Sequence, residues 1–282
     1  MTLQEYVDSL KGRRIAVLGI GVSNTPLIDL LLKNDLPLTV CDMRTEEALG
    51  DAAAALRARG AQLRLGPGYL DDLDGLDYIF RTPGLLPTDP ALVKAKARGA
   101  VVTSEMEIFF RLCPCRTIGI TGSDGKTTTS SIIAELLKAA GRRVHLGGNI
   151  GKPLLCEIPD FQPDDIAVLE LSSFQLHSIN IRPDVAVITN VSPNHLDKHP
   201  DFDDYVNAKR QIFANQTADD VLVVNRDNAY TARFGEEAKS RVLYFSRKET
   251  LSDGVFCRNG MIYRSHNYEV ESIIPESEIL LP

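Results

Sequence analysis

Residues 119–128 read Gly119-Ile120-Thr121-Gly122-Ser123-Asp124-Gly125-Lys126-Thr127-Thr128, and this stretch decides the fold. The stretch 116–121 ahead of it reads as a strand, and 126–140 behind it reads as a long helix. Strand, glycine loop and helix together are the context in which backbone N–H groups cradle phosphate oxygens. Glycines let the backbone curl into that cradle, and the helix N-terminus adds partial positive charge. In such a loop Lys126 reaches the β- and γ-phosphates of ATP and Thr127 offers a hydroxyl to Mg2+, with Gly122, Ser123, Asp124, Gly125 and Thr128 completing the nucleotide contacts. The common phosphate loop has a glycine where this chain has Ile120; here the glycines fall at 119, 122 and 125.

Working outward, strand signals at 14–20, 38–42 and 77–80 alternate with helical spacing at 25–33, 45–59, 89–98 and 104–111. Downstream, strands are expected at 143–146, 166–170, 185–189 and 220–224, a helix at 203–214, and a hairpin about Asn259-Gly260. Alternation of this kind implies parallel sheets with helices on both faces. Pro114 follows the helical stretch 104–111 and marks a boundary. The expectation is an α/β protein: a Rossmann-like parallel-sheet domain over 1–112, then a phosphate-loop domain of mixed α/β type over 113–282.

With 31 Lys and Arg against 38 Asp and Glu, the chain carries a net charge of −7. That balance argues against a general nucleic-acid or membrane-surface binder. No apolar run resembles a secretory leader or spans a bilayer, which points to the cytoplasm. Cys41, Cys113, Cys115, Cys156 and Cys257 fit no disulfide or zinc framework and read as reduced thiols. Cys113-Pro114-Cys115 is the one close pair, at poor spacing for a redox or zinc motif.

Further residues carry chemistry. Glu170 ends an apolar strand, and ligands collect beyond the carboxyl ends of such strands, so it suits Mg2+. His195 and His199 have helical i, i+4 spacing, but Pro193 and Pro200 bracket them. His195 is read as a metal ligand and His199 as a surface residue. Lys209 interrupts an apolar stripe of Phe202, Tyr205, Val206, Ile212 and Phe213. Such a lysine either snorkels to solvent or is used chemically. Desolvation favours its neutral amine, which can add CO2 to form a carbamate. In the first domain, Gly19-Ile20-Gly21 follows a strand, Asn24 replaces the third glycine of a dinucleotide fingerprint, and Asp42 stands where a ribose-binding acid belongs. Taken alone, those residues leave an NAD-dependent dehydrogenase open.

Four motifs occur in one order: the loop 121–127, Gly147-Gly148-Asn149-Ile150-Gly151, Glu170-Leu171-Ser172-Ser173-Phe174-Gln175-Leu176, and Thr189-Asn190-Val191 followed by Asn194-His195-Leu196-Asp197. Together they resemble the Mur ligase family, and the heptapeptide is most similar to its D-glutamate-adding branch. Asp124 stands for the family's asparagine, Asn194 for its acid, and Thr82-Pro83-Gly84 for its Ser-Pro-Gly turn. The resemblance implies ATP-dependent joining of D-glutamate to UDP-N-acetylmuramoyl-L-alanine through an acyl phosphate, in peptidoglycan precursor synthesis. It assigns the uridine nucleotide to Val22, Ser23, Asp42, Arg44, Thr82 and Gly84, and the acyl group to Asn149 and Ser172. It implies two Mg2+ ions, one on Thr127 and Glu170, the other on His195 and a carbamylated Lys209. Lys126, Glu170, His195 and Lys209 form the catalytic set. Partners are then small molecules, with no nucleic acid or membrane, and the chain a monomer. Another Mur or folylpolyglutamate-type ligase is the nearest alternative. The resemblance also implies a third, amino-acid-binding domain beyond residue 282, so this chain by itself is expected to bind nucleotides but to ligate weakly or not at all.

Overall fold

The computed structural model describes residues 1–177, 179–193 and 199–279. They divide into two compact units. The first comprises 1–115, 147–165 and 177–179; the second comprises 116–146, 166–176 and the residues from 180 onward.

The first unit has strands β1 (Ile15–Leu18), β2 (Leu38–Asp42), β3 (Gln62–Leu65), β4 (Tyr78–Phe80) and β5 (Val101–Thr103). Its helices are α1 (Leu3–Ser9), α2 (Thr25–Lys33), α3 (Glu46–Leu49), α4 (Asp51–Ala58), α5 (Pro90–Ala97) and α6 (Glu105–Leu112). The sheet runs β3-β2-β1-β4-β5 with every pairing parallel. All residues of β1 and β2 are buried, Thr39 and Asp42 included, as expected of central strands in a sheet covered on both faces. Strand order reverses at β1, so a crevice opens beyond its carboxyl end. The helix expected over 45–59 is two helices, because Gly50 between them has φ 51 and ψ −126, a conformation open to glycine. Thr2, Thr45, Asp89 and Ser104 each cap a helix with a side-chain oxygen that accepts a backbone N–H.

The segment Gly147–Asp165 groups with this unit. Its 3-10 turn, Leu155–Asp160, buries Leu155 and Ile158, and the Leu155 N–H donates to Glu105 Oε1 at 3.0 Å. Burial pushes the Glu105 carboxyl up from 4.5 to about 7, against the opposing pull of that hydrogen bond. The folded state therefore holds the proton more tightly than the unfolded chain. The stability this group contributes falls as pH rises from 4.5 to about 7 and is level above that. Glu105→Gln is expected to remove the slope, gaining at most about 3 kcal/mol at about pH 8 relative to about pH 4. Urea unfolding of both proteins at the two pH values checks this; parallel pH profiles would contradict it.

The second unit contains β6 (Arg116–Thr121), β7 (Val144–Gly148), β8 (Ile166–Glu170), β9 (Val185–Ile188), β10 (Val221–Asn225), β11 (Arg241–Ser246), β12 (Gly254–Arg258), β13 (Met261–His266) and β14 (Glu269–Pro275). Its helices are α7 (Lys126–Ala139), α8 (Ser173–Leu176), α9 (Phe202–Arg210) and α10 (Ala229–Glu237). The sheet order is β14-β13-β12-β11-β10-β9-β6-β8-β7. Pairing is parallel from β8 through β12 and antiparallel across β12, β13 and β14. Asn259 and Gly260 turn the β12–β13 hairpin with φ of 52 and 71, the positive pair that matches strand twist. β6 is the second point of reversal: β8 lies on one side and β9 on the other, and the phosphate loop leaves its carboxyl end. α9 stops at Arg210, and the remainder of the expected helix continues as turns.

Candidate active site

The phosphate loop is held from behind by the residues that follow β9. Ser123 N–H donates to Asn190 O (3.0 Å) and Asp124 N–H to Asn190 Oδ1 (3.1 Å). Thr189 Oγ1 and Asn190 Nδ2 both donate to Asp124 O, at 2.6 and 3.1 Å. Asp124 is thus fixed through its backbone while the residue stays exposed, which explains why an aspartate is tolerated there. Gly125 takes the left-handed conformation (φ 78) at the start of α7, whose first turn has no side-chain cap. Those N–H groups remain available to an anion. Gly122 has φ 155, and a Cβ on it would fall onto Thr189 Oγ1 while lying 3.1 Å from Thr189 Cβ and 3.3 Å from Asn190 N. Gly122→Ala is expected to cost about 2–4 kcal/mol of stability through overpacking and backbone strain. A urea midpoint equal to that of the unsubstituted chain would rule out this tight fit.

Two lysines converge on one carbonyl. Lys126 Nζ donates to Gly122 O and Ser123 O, both at 3.0 Å, and Lys209 Nζ donates to Gly122 O at 2.7 Å. Lys209 is 1% exposed, so it does not snorkel, and its Nζ lies 4.5 Å from the centroid of the Tyr205 ring. Burial first, and the Lys126 charge second, lower its pKa from 10.5 to about 7. At the end of β8, Glu170 is 2% exposed and its Oε2 accepts from Thr127 Oγ1 at 2.7 Å. A hydroxyl and a carboxylate side by side at a phosphate cradle are the oxygen donors that Mg2+ prefers, so this pair fits the ion.

His199 corrects the sequence expectation. It is 3% exposed, not a surface residue. Its Nε2 hydrogen-bonds with Ser173 Oγ (2.9 Å), its Nδ1 with Asp204 Oδ2 (2.6 Å), and its ring stacks on Phe174 at 4.9 Å. It ties α8 to the first turn of α9, the helix that carries Lys209. Tyr205 adds a second tie, its hydroxyl 3.0 Å from Ser123 Oγ in the phosphate loop. Ser172 caps α8: its N–H and its hydroxyl bond with Gln175 Oε1 at 3.0 and 3.1 Å. Asn194, His195 and Asp197 lie outside the described residues.

In the first unit, a cleft of about 260 Å³ opens at the reversal point, lined by Gly19, Gly21, Asp42, Arg44, Tyr69 and Thr82 among others. Asp42 is 4% exposed and both its oxygens are occupied. Oδ2 accepts from Ile20 N–H (2.7 Å) and Arg44 Nη2 (2.8 Å), and Oδ1 from Arg44 N–H and Nε, each at 2.9 Å. Burial alone would raise its pKa, but these hydrogen bonds and the Arg44 charge outweigh it and hold the carboxyl at about 2. Asn24, where a fingerprint would have glycine, is buried and donates to Leu18 O (2.9 Å) and Gly19 O (3.2 Å), fixing the turn after β1. Val22, Ser23 and Gly84 fall outside the lining of the cleft.

Residues 120–279 match the family model of the Mur ligase middle domain. The chain belongs to the Mur ligase family. Residues 13–104 match the model of the Mur ligase MurD-like N-terminal domain. A protein of Clostridium novyi (strain NT) named UDP-N-acetylmuramoylalanine--D-glutamate ligase is 48% identical over 90% of this chain and 56% of its own length. A protein of the same name from Ruminiclostridium cellulolyticum is 47% identical over 99% of this chain and 60% of its own. The chain thus spans less than two thirds of these relatives' lengths. Among solved structures, UDP-N-acetylmuramate:L-alanyl-gamma-D-glutamyl-meso-diaminopimelate ligase from Neisseria meningitides shares the fold, with a TM-score of 0.55, 18% identity, and coverage of 92% of this chain and 85% of that one.

Within this Mur ligase chain, the second unit assembles Gly122 through Thr127, Glu170 and Lys209, as the motifs imply. The first unit gathers Asp42, Arg44 and Thr82 about one cleft. Asn149 is exposed in the turn after β7, in the segment that groups with the first unit. The sequence motifs assign no site role to Thr189, Asn190, Ser173, His199 or Tyr205, which the structure sets against the loop and α8. Thr189 and Asn190 at least had a signal, because they sit directly after an apolar strand at the same sheet edge as the loop. No helix among the described residues is long and apolar enough to cross a membrane.

Proposed function

We propose that this chain carries the nucleotide and acyl-substrate sites of an ATP-dependent ligase that joins D-glutamate to UDP-N-acetylmuramoyl-L-alanine in peptidoglycan precursor synthesis. The observation that carries the reading is the Thr127–Glu170 pair at 2.7 Å, set beside a phosphate loop onto which Lys126 and the buried Lys209 converge. The names of the clostridial relatives support the choice of amino acid.

In this reading the loop N–H groups hold the ATP phosphates, and Lys126 leaves the carbonyls of Gly122 and Ser123 for the β- and γ-phosphate oxygens. The alanyl carboxylate attacks the γ-phosphorus, ADP departs, and an acyl phosphate remains. The amine of D-glutamate then attacks the acyl carbon and phosphate leaves, yielding the amide. Thr127 and Glu170 would hold Mg2+, which when bound supplies charge neutralisation for the phosphates. Lys209 as a neutral amine adds to CO2 and releases a proton, and the resulting carbamate, with His195, would hold the second ion. Val22, Ser23, Asp42, Arg44, Thr82 and Gly84 are assigned to the uridine nucleotide, and Asn149 and Ser172 to the acyl group. Asp42 acts there by shaping the Ile20–Arg44 rim, since its own oxygens are taken. The reading places the chain in the cytoplasm as a monomer, which sedimentation velocity checks.

The test is phosphate release from ATP by a polypeptide of the relatives' full length carrying this sequence. Release that needs both UDP-N-acetylmuramoyl-L-alanine and D-glutamate is expected. Equal release with UDP-N-acetylmuramate, or with L-alanine in place of D-glutamate, would overturn the assignment.

A further inference from the structure

Cys113 and Cys115 end the first unit, immediately before β6, with Pro114 between them. Their spacing fits no common redox or metal motif, yet the fold brings their Sγ atoms to 3.6 Å. The two thiols differ in access. Cys115 is 8% exposed, whereas Cys113 is half-buried at the end of α6, where its N–H donates to Phe109 O at 2.8 Å. Pro114, the single residue between them, fixes one backbone torsion and stiffens the connection. Disulfide sulfurs lie about 2.05 Å apart, so closing this pair is a movement of roughly 1.5 Å. The remaining thiols are elsewhere and two are disfavoured as nucleophiles. Cys41 is buried in β2 and Cys156 donates to Pro26 O at 3.3 Å, and burial raises each to about 11. Cys257 lies in β12.

We propose that Cys113 and Cys115 form a reversible dithiol–disulfide site that exchanges with small-molecule disulfides of the glutathione type. The Cys113 thiolate attacks one sulfur of the small disulfide. Its S–S bond breaks, one small thiol leaves with the electron pair and takes up a proton, and a mixed disulfide remains on Cys113. Cys115, already in contact, attacks the Cys113 sulfur and expels the second small thiol. Two protein thiols thereby lose two electrons and two protons, and one small disulfide becomes two thiols. A less buried attacking thiol and a more buried resolving thiol suit this sequence, because the mixed disulfide is resolved internally before a second molecule reaches it. The modification falls where the chain passes from α6 into the strand that bears the phosphate loop.

The experiment is to incubate the folded chain with oxidised glutathione, block free thiols with iodoacetamide, and map the cysteine peptides by mass spectrometry. The peptide holding both residues should lose two hydrogens, escape alkylation, and regain both thiols on treatment with dithiothreitol. Cys115→Ser should instead retain glutathione on Cys113, and Cys113→Ser should leave Cys115 unmodified. A lasting glutathione adduct on Cys113 in the unsubstituted chain would overturn the proposal. So would alkylation of both residues at the level of an untreated control.

Discussion

Lys126→Ala is expected to weaken ATP binding by about 10- to 100-fold, the loss of charged hydrogen bonds to the phosphates. Phosphate release is expected to fall further, by about 100- to 1,000-fold, because the lysine's contribution grows as charge shifts during transfer. The structure explains why no neighbour substitutes for it. Lys126 is the first residue of α7, and its amine already lies over the loop, bonded to Gly122 O and Ser123 O. Lys209 points at the same carbonyl but is buried, and its pKa near 7 makes it a poor standing cation at neutral pH. Calorimetry on this chain reads the first effect and a phosphate assay on the full-length polypeptide the second. Unchanged ATP affinity would remove Lys126 from the site.

Lys209→Ala is expected to lower turnover by about 100- to 1,000-fold, the scale of a lost metal-ion contribution. ATP affinity should change far less, because the loop N–H groups remain. The chemistry fixes a direction with pH. Only the neutral amine adds CO2, and burial holds the Lys209 pKa at about 7. Carbamate occupancy should therefore fall as pH drops through about 7 and level off above it. A carbon-13 signal from labelled bicarbonate reports the occupancy directly. Stripping CO2 should depress turnover, and bicarbonate should restore it. Lack of any CO2 response, with no carbamate signal, would sink the carbamate reading while leaving the phosphate loop intact.

Much of this was legible in the sequence because it is local or periodic. The run of β1 is apolar throughout, those of β2 and β8 are apolar but for Thr39, Asp42 and Glu170, and all three are buried throughout or nearly so. The strand–loop–helix around Gly122 is set by glycine placement, and Lys209 announced itself by breaking a helical stripe. The less legible features depend on distant partners. The loop is held by Thr189 and Asn190 across more than sixty residues of chain, which leaves no spacing to read. His199 lies between prolines that suggest a loop, and only the return of α8 beside α9 buries it. β3 and β5 span four and three residues, too short for a period to emerge. Asp42 matched a ribose-binding position by register, but Arg44 two residues later saturates it. That saturation takes up the oxygens a dinucleotide's ribose would use, and Asn24 stands where a fingerprint has glycine, so the dehydrogenase reading loses its acid. Membership of the Mur ligase family agrees.

The most direct measurement is a calorimetric titration of this chain with UDP-N-acetylmuramoyl-L-alanine, alongside UDP-N-acetylmuramate and NADH. Saturable binding of the alanylated nucleotide, tighter than that of the alanine-free one and without binding of NADH, is the result expected. Binding of NADH, or equal affinity for the two uridine nucleotides, would contradict the account.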